Sequence, residues 1–269
     1  MSAAEQFLCL HREADSLLLL PNPWDVGSAR LLEYLGFTAL ATTSSGYAAT
    51  LGRLDGRVTR DEALAHAAEI VGATDLPVSA DLENCFADDA DGVAETVRLA
   101  IEVGLAGCSI EDFTGDGGNP IYPLGEAAER VAGAAEAAHN GAQKLVLTGR
   151  AENHLHGRDD LADTIARLQA YQEAGADVLY APGITSVADI RAVVSSVDRP
   201  VNVLARQGAP SVPALAALGV RRVSVGGSFV FAALGAVVTA SAELLGPGTY
   251  GFLAGSAHGR DAVVKAFTA

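Results

Sequence analysis

Asp81 and Glu83 close the short apolar run Val78-Ser79-Ala80. In an extended chain, side chains at i and i+2 point the same way, so this spacing predicts two anionic oxygen donors converging at a strand's C-terminal end. Hard donors so arranged suit Mg²⁺ or Mn²⁺. Entry through Pro77 and the apolar character of the run fit a strand inside a parallel sheet. Glu111 and Asp112 follow a second such run, Ala106 to Ile110, and Arg150 follows a third, Leu145 to Gly149. Three carboxylates brought together from adjacent strands, Asp81, Glu83 and Glu111, need a cation between them. The guanidinium fork of Arg150 suits a substrate carboxylate or phosphonate, or else a salt bridge to one of those acids. Ser44-Ser45-Gly46-Tyr47 reads as a turn whose hydroxyls and amides can hold an oxyanion, with Gly46 supplying backbone freedom. His154 and His156 read as loop histidines, and the glycine-rich stretch Asp112 to Leu124 as a lid.

Positioning these groups takes a repeating scaffold. Apolar runs and helically spaced segments alternate along the chain. The strands are Leu17 to Leu20, Phe37 to Thr42, the run ending at Asp81, Ala106 to Ile110, Leu145 to Gly149, Val178 to Tyr180, Val201 to Leu204 and Val223 to Val225. Helices are expected between them, and a long apolar one from Phe229 to Leu245. About eight strand-then-helix units in 269 residues match a (β/α)₈ TIM barrel in a single domain, 1–269, whose segment 226–269 forms a C-terminal helical region. An open doubly wound sheet is the alternative, but Pro21-Asn22-Pro23 stands where its glycine-rich turn belongs. In a barrel, chemistry sits after strand C-termini. Trp24 and Asp25, Ser44 to Gly46, Asp81 and Glu83, Glu111, Arg150, Asn202 and Gly226-Gly227 all fall there.

A formal net charge of −15 disfavours nucleic acid and anionic membranes. An anionic substrate therefore needs positive potential created locally. Three cysteines without metal-ligand spacing imply neither a disulfide framework nor a zinc site, which suits a reducing cytoplasm. The N-terminal stretch has charges where a signal peptide needs an apolar core, and no segment is expected to span a bilayer.

Taken together, Pro23-Trp24-Asp25, Ser45-Gly46, Leu51-Gly52-Arg53-Leu54-Asp55-Gly56, Asp81-Leu82-Glu83, Leu105 to Asp112, Gly149-Arg150, Gly175-Ala176-Asp177 and Val201-Asn202-Val203 resemble the isocitrate lyase and phosphoenolpyruvate mutase superfamily. The resemblance implies a Mg²⁺-dependent barrel on which a 2-oxo acid or its enolate chelates the metal. It also implies a homo-oligomer, dimer or tetramer, that exchanges its last helices. By position it makes Asp81, Glu83 and Glu111 metal-shell acids, Asp55 a catalytic-loop aspartate, Arg150 a carboxylate clamp, Ser45-Gly46-Tyr47 the oxyanion turn and Asn202 a substrate amide. The chain departs from that pattern in three places. The loop after Glu111 lacks the Lys-Lys-Cys-Gly-His motif of the isocitrate and methylisocitrate lyases; Asn84-Cys85-Phe86-Ala87 replaces the usual Gly-Tyr-Gly; and Tyr180 stands where several members have an acid or His. The expectation is a C–C lyase or hydrolase of a small 2-oxo or 2-hydroxy dicarboxylate. A P–C mutase or hydrolase and an idle 2-oxo acid binding protein are the alternatives.

Overall fold

The computed structural model describes residues 1–12 and 17–268. Eight parallel strands form one sheet: β1 Leu18–Leu20, β2 Leu40–Ala41, β3 Val78–Asp81, β4 Gly107–Glu111, β5 Val146–Arg150, β6 Val178–Tyr180, β7 Val201–Leu204 and β8 Arg222–Ser224. From β2 to β8 each strand pairs with the next in sequence, and β1 pairs with β8. The Ala41 amide donates to the Pro21 carbonyl at 3.0 Å, joining the remaining edges into a nearly closed (β/α)₈ barrel.

The first helices are α1 Ala3–Arg12, α2 Val26–Tyr34, α3 Ser44–Thr50, α4 Arg60–Val71, α5 Ala90–Glu102 and α6 Leu124–His139. The rest are α7 Leu161–Glu173, α8 Val187–Ser195, α9 Val212–Ala217, α10 Ser228–Leu245 and α11 Leu253–Thr268. Local chemistry sets their starts. Asp25 with Ser28 and Thr59 with Glu62 form capping boxes at α2 and α4, satisfying amides that a helix leaves unpaired. Asp25 thus caps a helix instead of facing the barrel mouth.

Alternate strand residues divide the molecule. Outward-facing Val78, Cys108, Leu147, Leu179, Val203 and Val223 bury against the helices as the main core. Inside the barrel, Phe7 and His11 of α1 close the N-terminal end; Phe7 lies so near Gly107 that an added Cβ there would meet its ring at 2.8 Å. Above that plug the interior is polar. Barrels usually fill this space with branched apolar side chains, whereas here Ser79, Ser109, Thr148, Asn202 and Arg222 are buried in it.

One expectation is corrected. Ser228–Leu245 is 18 residues long with a mean hydropathy of 1.8 and is 6% buried, so by length and composition it could cross a membrane. Its Phe, Leu and Val residues raise that mean, and Glu243 is its one formal charge. α11 then folds back on α2, placing Arg30 5.1 Å from the centre of the Phe267 ring.

Candidate active site

The C-terminal ends of the strands surround a cavity of about 190 Å³. Of the residues singled out from sequence, Ser44, Ser45, Asp55, Asp81, Arg150, Asn202, Gly226 and Gly227 line it, while Gly46, Tyr47, Glu83 and Glu111 do not. Asp81 ends β3 with both carboxylate oxygens engaged. Oδ2 accepts from the Ser44 amide at 3.2 Å and the Ser44 hydroxyl at 3.0 Å, and Oδ1 pairs with Arg150 at 2.7 Å.

Glu83 does not continue the strand. It lies past the end of β3 with φ of 50°, so the two-residue alternation that grouped it with Asp81 does not operate there. Its Oε1 is buried without a hydrogen-bond partner. Burial first, then the charges of Asp81 and Asp55, push its carboxyl up to about 8 against the pull of Arg150. Cys85 and Phe86 also have positive φ, 61° and 54°. The turn keeps a left-handed course that glycine would follow with less strain.

Arg150 stands among three acids. Besides Asp81, its terminal nitrogen lies 3.0 Å from Glu111 and 2.8 Å from Glu152, and its Nε donates to Glu152 at 3.0 Å. Burial raises the carboxyl pKa of both glutamates, and the guanidinium opposes that rise. Glu152 is fixed from behind: its amide donates to Asp112 Oδ1 at 2.8 Å, while Asp112 Oδ2 accepts from Tyr171 at 2.5 Å and Arg167 at 3.1 Å. Asp55 sits exposed at the rim, its carboxyl raised by surrounding protein and by Asp81.

Ser44 to Tyr47 form the first turn of α3, not a loose turn. Thr43 caps it, its hydroxyl accepting from the Gly46 amide at 3.3 Å. Gly46 is required for its size, since a Cβ would meet Thr43 Cγ2 at 2.5 Å and Val230 Cγ1 at 3.2 Å. Tyr47 stacks on His66 at 3.9 Å instead of lining the cavity. Asn202 is oriented by Arg222, whose Nε donates to its Oδ1 at 2.9 Å, so its amide hydrogens point to Ser224 Oγ at 3.0 Å. The stretch from Asp112 folds over by one bridge, Phe113 to Ile121, and the Phe113 ring stacks on His156 at 4.0 Å.

Asp81, Glu111 and Glu152 pair with Arg150, Asp55 and Glu83 lie near enough to feel its charge, and a hard cation would favour the ionised form of the raised carboxyls among them. The unpartnered Glu83 oxygen is the donor chemistry Mg²⁺ uses. Among the described residues no three His, Cys, Asp or Glu side chains are grouped to hold one ion. One or two carboxylates completed by water and substrate oxygens is the usual Mg²⁺ arrangement, and the residues fit that. Sequence reasoning missed Glu152, Asn22 and Arg222 as site residues, and Tyr180, noted as a departure from the family pattern, lines the cavity. For Arg222 the signal was present: alternation about outward-facing Val223 turns both Arg222 and Ser224 into the barrel.

A polar, acid-rich cavity thus lies at the C-terminal mouth of the (β/α)₈ barrel, the end of this fold at which active sites are built. The chain belongs to the phosphoenolpyruvate phosphomutase family, whose model matches residues 7–245. It is 34% identical over 212 residues to an uncharacterized protein of Mycobacterium tuberculosis, covering 77% of each chain. A solved structure from Burkholderia cenocepacia J2315, assigned no more closely than lyase or mutase, superposes with a TM-score of 0.96 at 52% identity, over 99% of this chain and 96% of the other. 2,3-Dimethylmalate lyase superposes at 0.83 with 27% identity, over 93% and 90%. Its relatives include carbon–carbon lyases of the isocitrate lyase and phosphoenolpyruvate mutase superfamily.

Proposed function

We propose that the protein is a Mg²⁺-dependent lyase or hydrolase that cleaves the C–C bond of a small 2-oxo or 2-hydroxy dicarboxylate through an enolate. The observation that carries this reading is the placement of the acidic cluster around Arg150 beside a cavity of only about 190 Å³. That volume is below the roughly 300–1,000 Å³ of drug-sized sites. Asp81 and Glu83 would hold the cation, with Glu111 tied to Arg150 behind them. When bound, Mg²⁺ would supply Lewis-acid polarisation of the oxygen on C2.

The chain's own groups do the rest. Ser44 fixes Asp81 through two hydrogen bonds, and Ser45 presents its hydroxyl to the cavity. Asp55 at the rim takes the proton of the substrate hydroxyl or of an attacking water. In a 2-hydroxy acid the C2 oxygen becomes a carbonyl as the C2–C3 bond breaks; in a 2-oxo acid the water oxygen first adds to C2. In both, the bond's electron pair becomes an enolate that takes up a proton from Asp55 or water. Activity assays against 2-oxo and 2-hydroxy dicarboxylates and phosphonopyruvate, in Mg²⁺ and in EDTA, test this. Turnover of a diacid that EDTA abolishes is expected. Consumption of phosphonopyruvate alone would favour P–C chemistry, which the family model and the missing Cys motif also fit; binding of acids without turnover of any would mark an idle binding protein.

The oligomer belongs to the same reading. On α10 only Val230 is buried, while Phe231, Val237 and Val238 are 51%, 61% and 69% exposed. Burying such a face against a second copy gains roughly 25 cal/mol per Å². Light scattering is expected to give a dimeric or tetrameric mass, lowered by Val238→Glu. A monomeric parent at micromolar concentration would refute it.

A further inference from the structure

We propose that Arg222 recognises the second acidic group of the substrate and thereby sets a preference for diacids over monoacids. The inference rests on the reading of the cavity as a site for small 2-oxo or 2-hydroxy acids.

Arg222 is the first residue of β8, 4% exposed, and lines the cavity. Buried arginines normally sit against carboxylates, as Arg150 does. Among the described residues Arg222 has no carboxylate ion pair. All three of its partners are neutral: Asn202 Oδ1 at 2.9 Å, Thr148 Oγ1 at 3.1 Å and His11 Nε2 at 3.3 Å. His11 is neutral because burial holds its pKa down near 3, and with Nδ1 directed at the Phe7 carbonyl at 2.7 Å, its Nε2 is left as an acceptor. A guanidinium has five N–H groups. One on each terminal nitrogen is therefore left without an acceptor among the described residues.

Charge is thus separated along the barrel axis. The mouth carries the carboxylates and needs a cation; the floor carries a cation and needs an anion. A 2-hydroxy diacid matches both. Its C1 carboxylate and hydroxyl face the mouth, and its far carboxylate reaches down to Arg222. Cleavage between C2 and C3 leaves the electron pair on the fragment that bears this far carboxylate, so Arg222 also faces the charge that develops.

Calorimetric titration of the Mg²⁺-loaded protein with (S)-malate and (S)-lactate, which differ by the far carboxylate, tests the assignment. The parent is expected to prefer malate about tenfold or more, the scale of one charge-assisted contact. Arg222→Gln should remove that preference and leave lactate affinity within about twofold. Arg222→Lys, which keeps the charge, should retain part of it and covers a Gln variant that fails to fold. A variant that melts earlier with an unchanged malate-to-lactate ratio would make Arg222 purely structural and overturn the proposal. If the parent binds both acids equally, the site reading stands and this inference alone falls; if it binds neither, both fall.

Discussion

Replacing Arg150 with Met is expected to destabilise the protein by about 3–5 kcal/mol and to abolish turnover, because it strands a cluster of buried acids. The guanidinium is 13% exposed and pairs with Asp81 at 2.7 Å, Glu152 at 2.8 Å and Glu111 at 3.0 Å. Attraction to one cation offsets the desolvation of all three. Without it Glu111 and Glu152, whose carboxyls burial already raises, take up protons, so the loss should grow as pH rises. Urea unfolding at pH 5 and pH 8 measures both effects. Arg150→Lys separates support of the acids from direct clamping of a substrate. With each nitrogen already engaged, the lysine variant should lose melting temperature first. An unchanged melting temperature with lost 2-oxo acid affinity would instead make Arg150 the clamp.

Glu83→Gln should act in the opposite direction. In metal-free protein the folded state holds the Glu83 proton up to about pH 8, while the unfolded chain releases it near its ordinary value of 4.5. Between those values the native state binds more protons, so stability falls as pH rises through the window. At 1.36 kcal/mol per pKa unit the full loss is on the order of 3–5 kcal/mol. Glutamine carries no charge and escapes it. In EDTA at pH 8.5 the variant is expected to be more stable than the parent by roughly that amount, with little difference at pH 4.5. Mg²⁺ should then stabilise the parent and leave the variant nearly unchanged. A parent whose stability in EDTA is flat from pH 5 to 8 would defeat the assignment.

The scaffold was legible because its strands are short apolar runs bounded by glycine or proline. Val178–Tyr180 and Val201–Leu204 begin and end where the sequence reading placed them. Helix α3 was not, since Ser-Ser-Gly-Tyr has weak intrinsic helicity and folds through the Thr43 cap. The acids were visible as residue types after strands, but their division of labour was not. Which carboxylate meets Arg150 and which is left bare depends on the left-handed turn at Glu83, which strand periodicity does not encode. Glu152 escaped because it lies two residues beyond the strand and acts by reaching back. Arg222 escaped because Arg221-Arg222 looks like a solvated pair at a loop end, although β8 begins at Arg222 and its alternation with Val223 turns it inward.

Closure of the barrel governs when the cavity comes into being. The Asn22 side chain accepts from the amides of Val225 and Gly226 at 3.0 and 2.8 Å, and β1 pairs with β8, so the two ends of the chain build one wall together. Contacts this distant in sequence carry a high loop-closure entropy and form slowly. The acids around Arg150 come from segments that end at Glu152, whereas Arg222 and Ser224 come from β8, so the cavity is complete only once the last strand has docked.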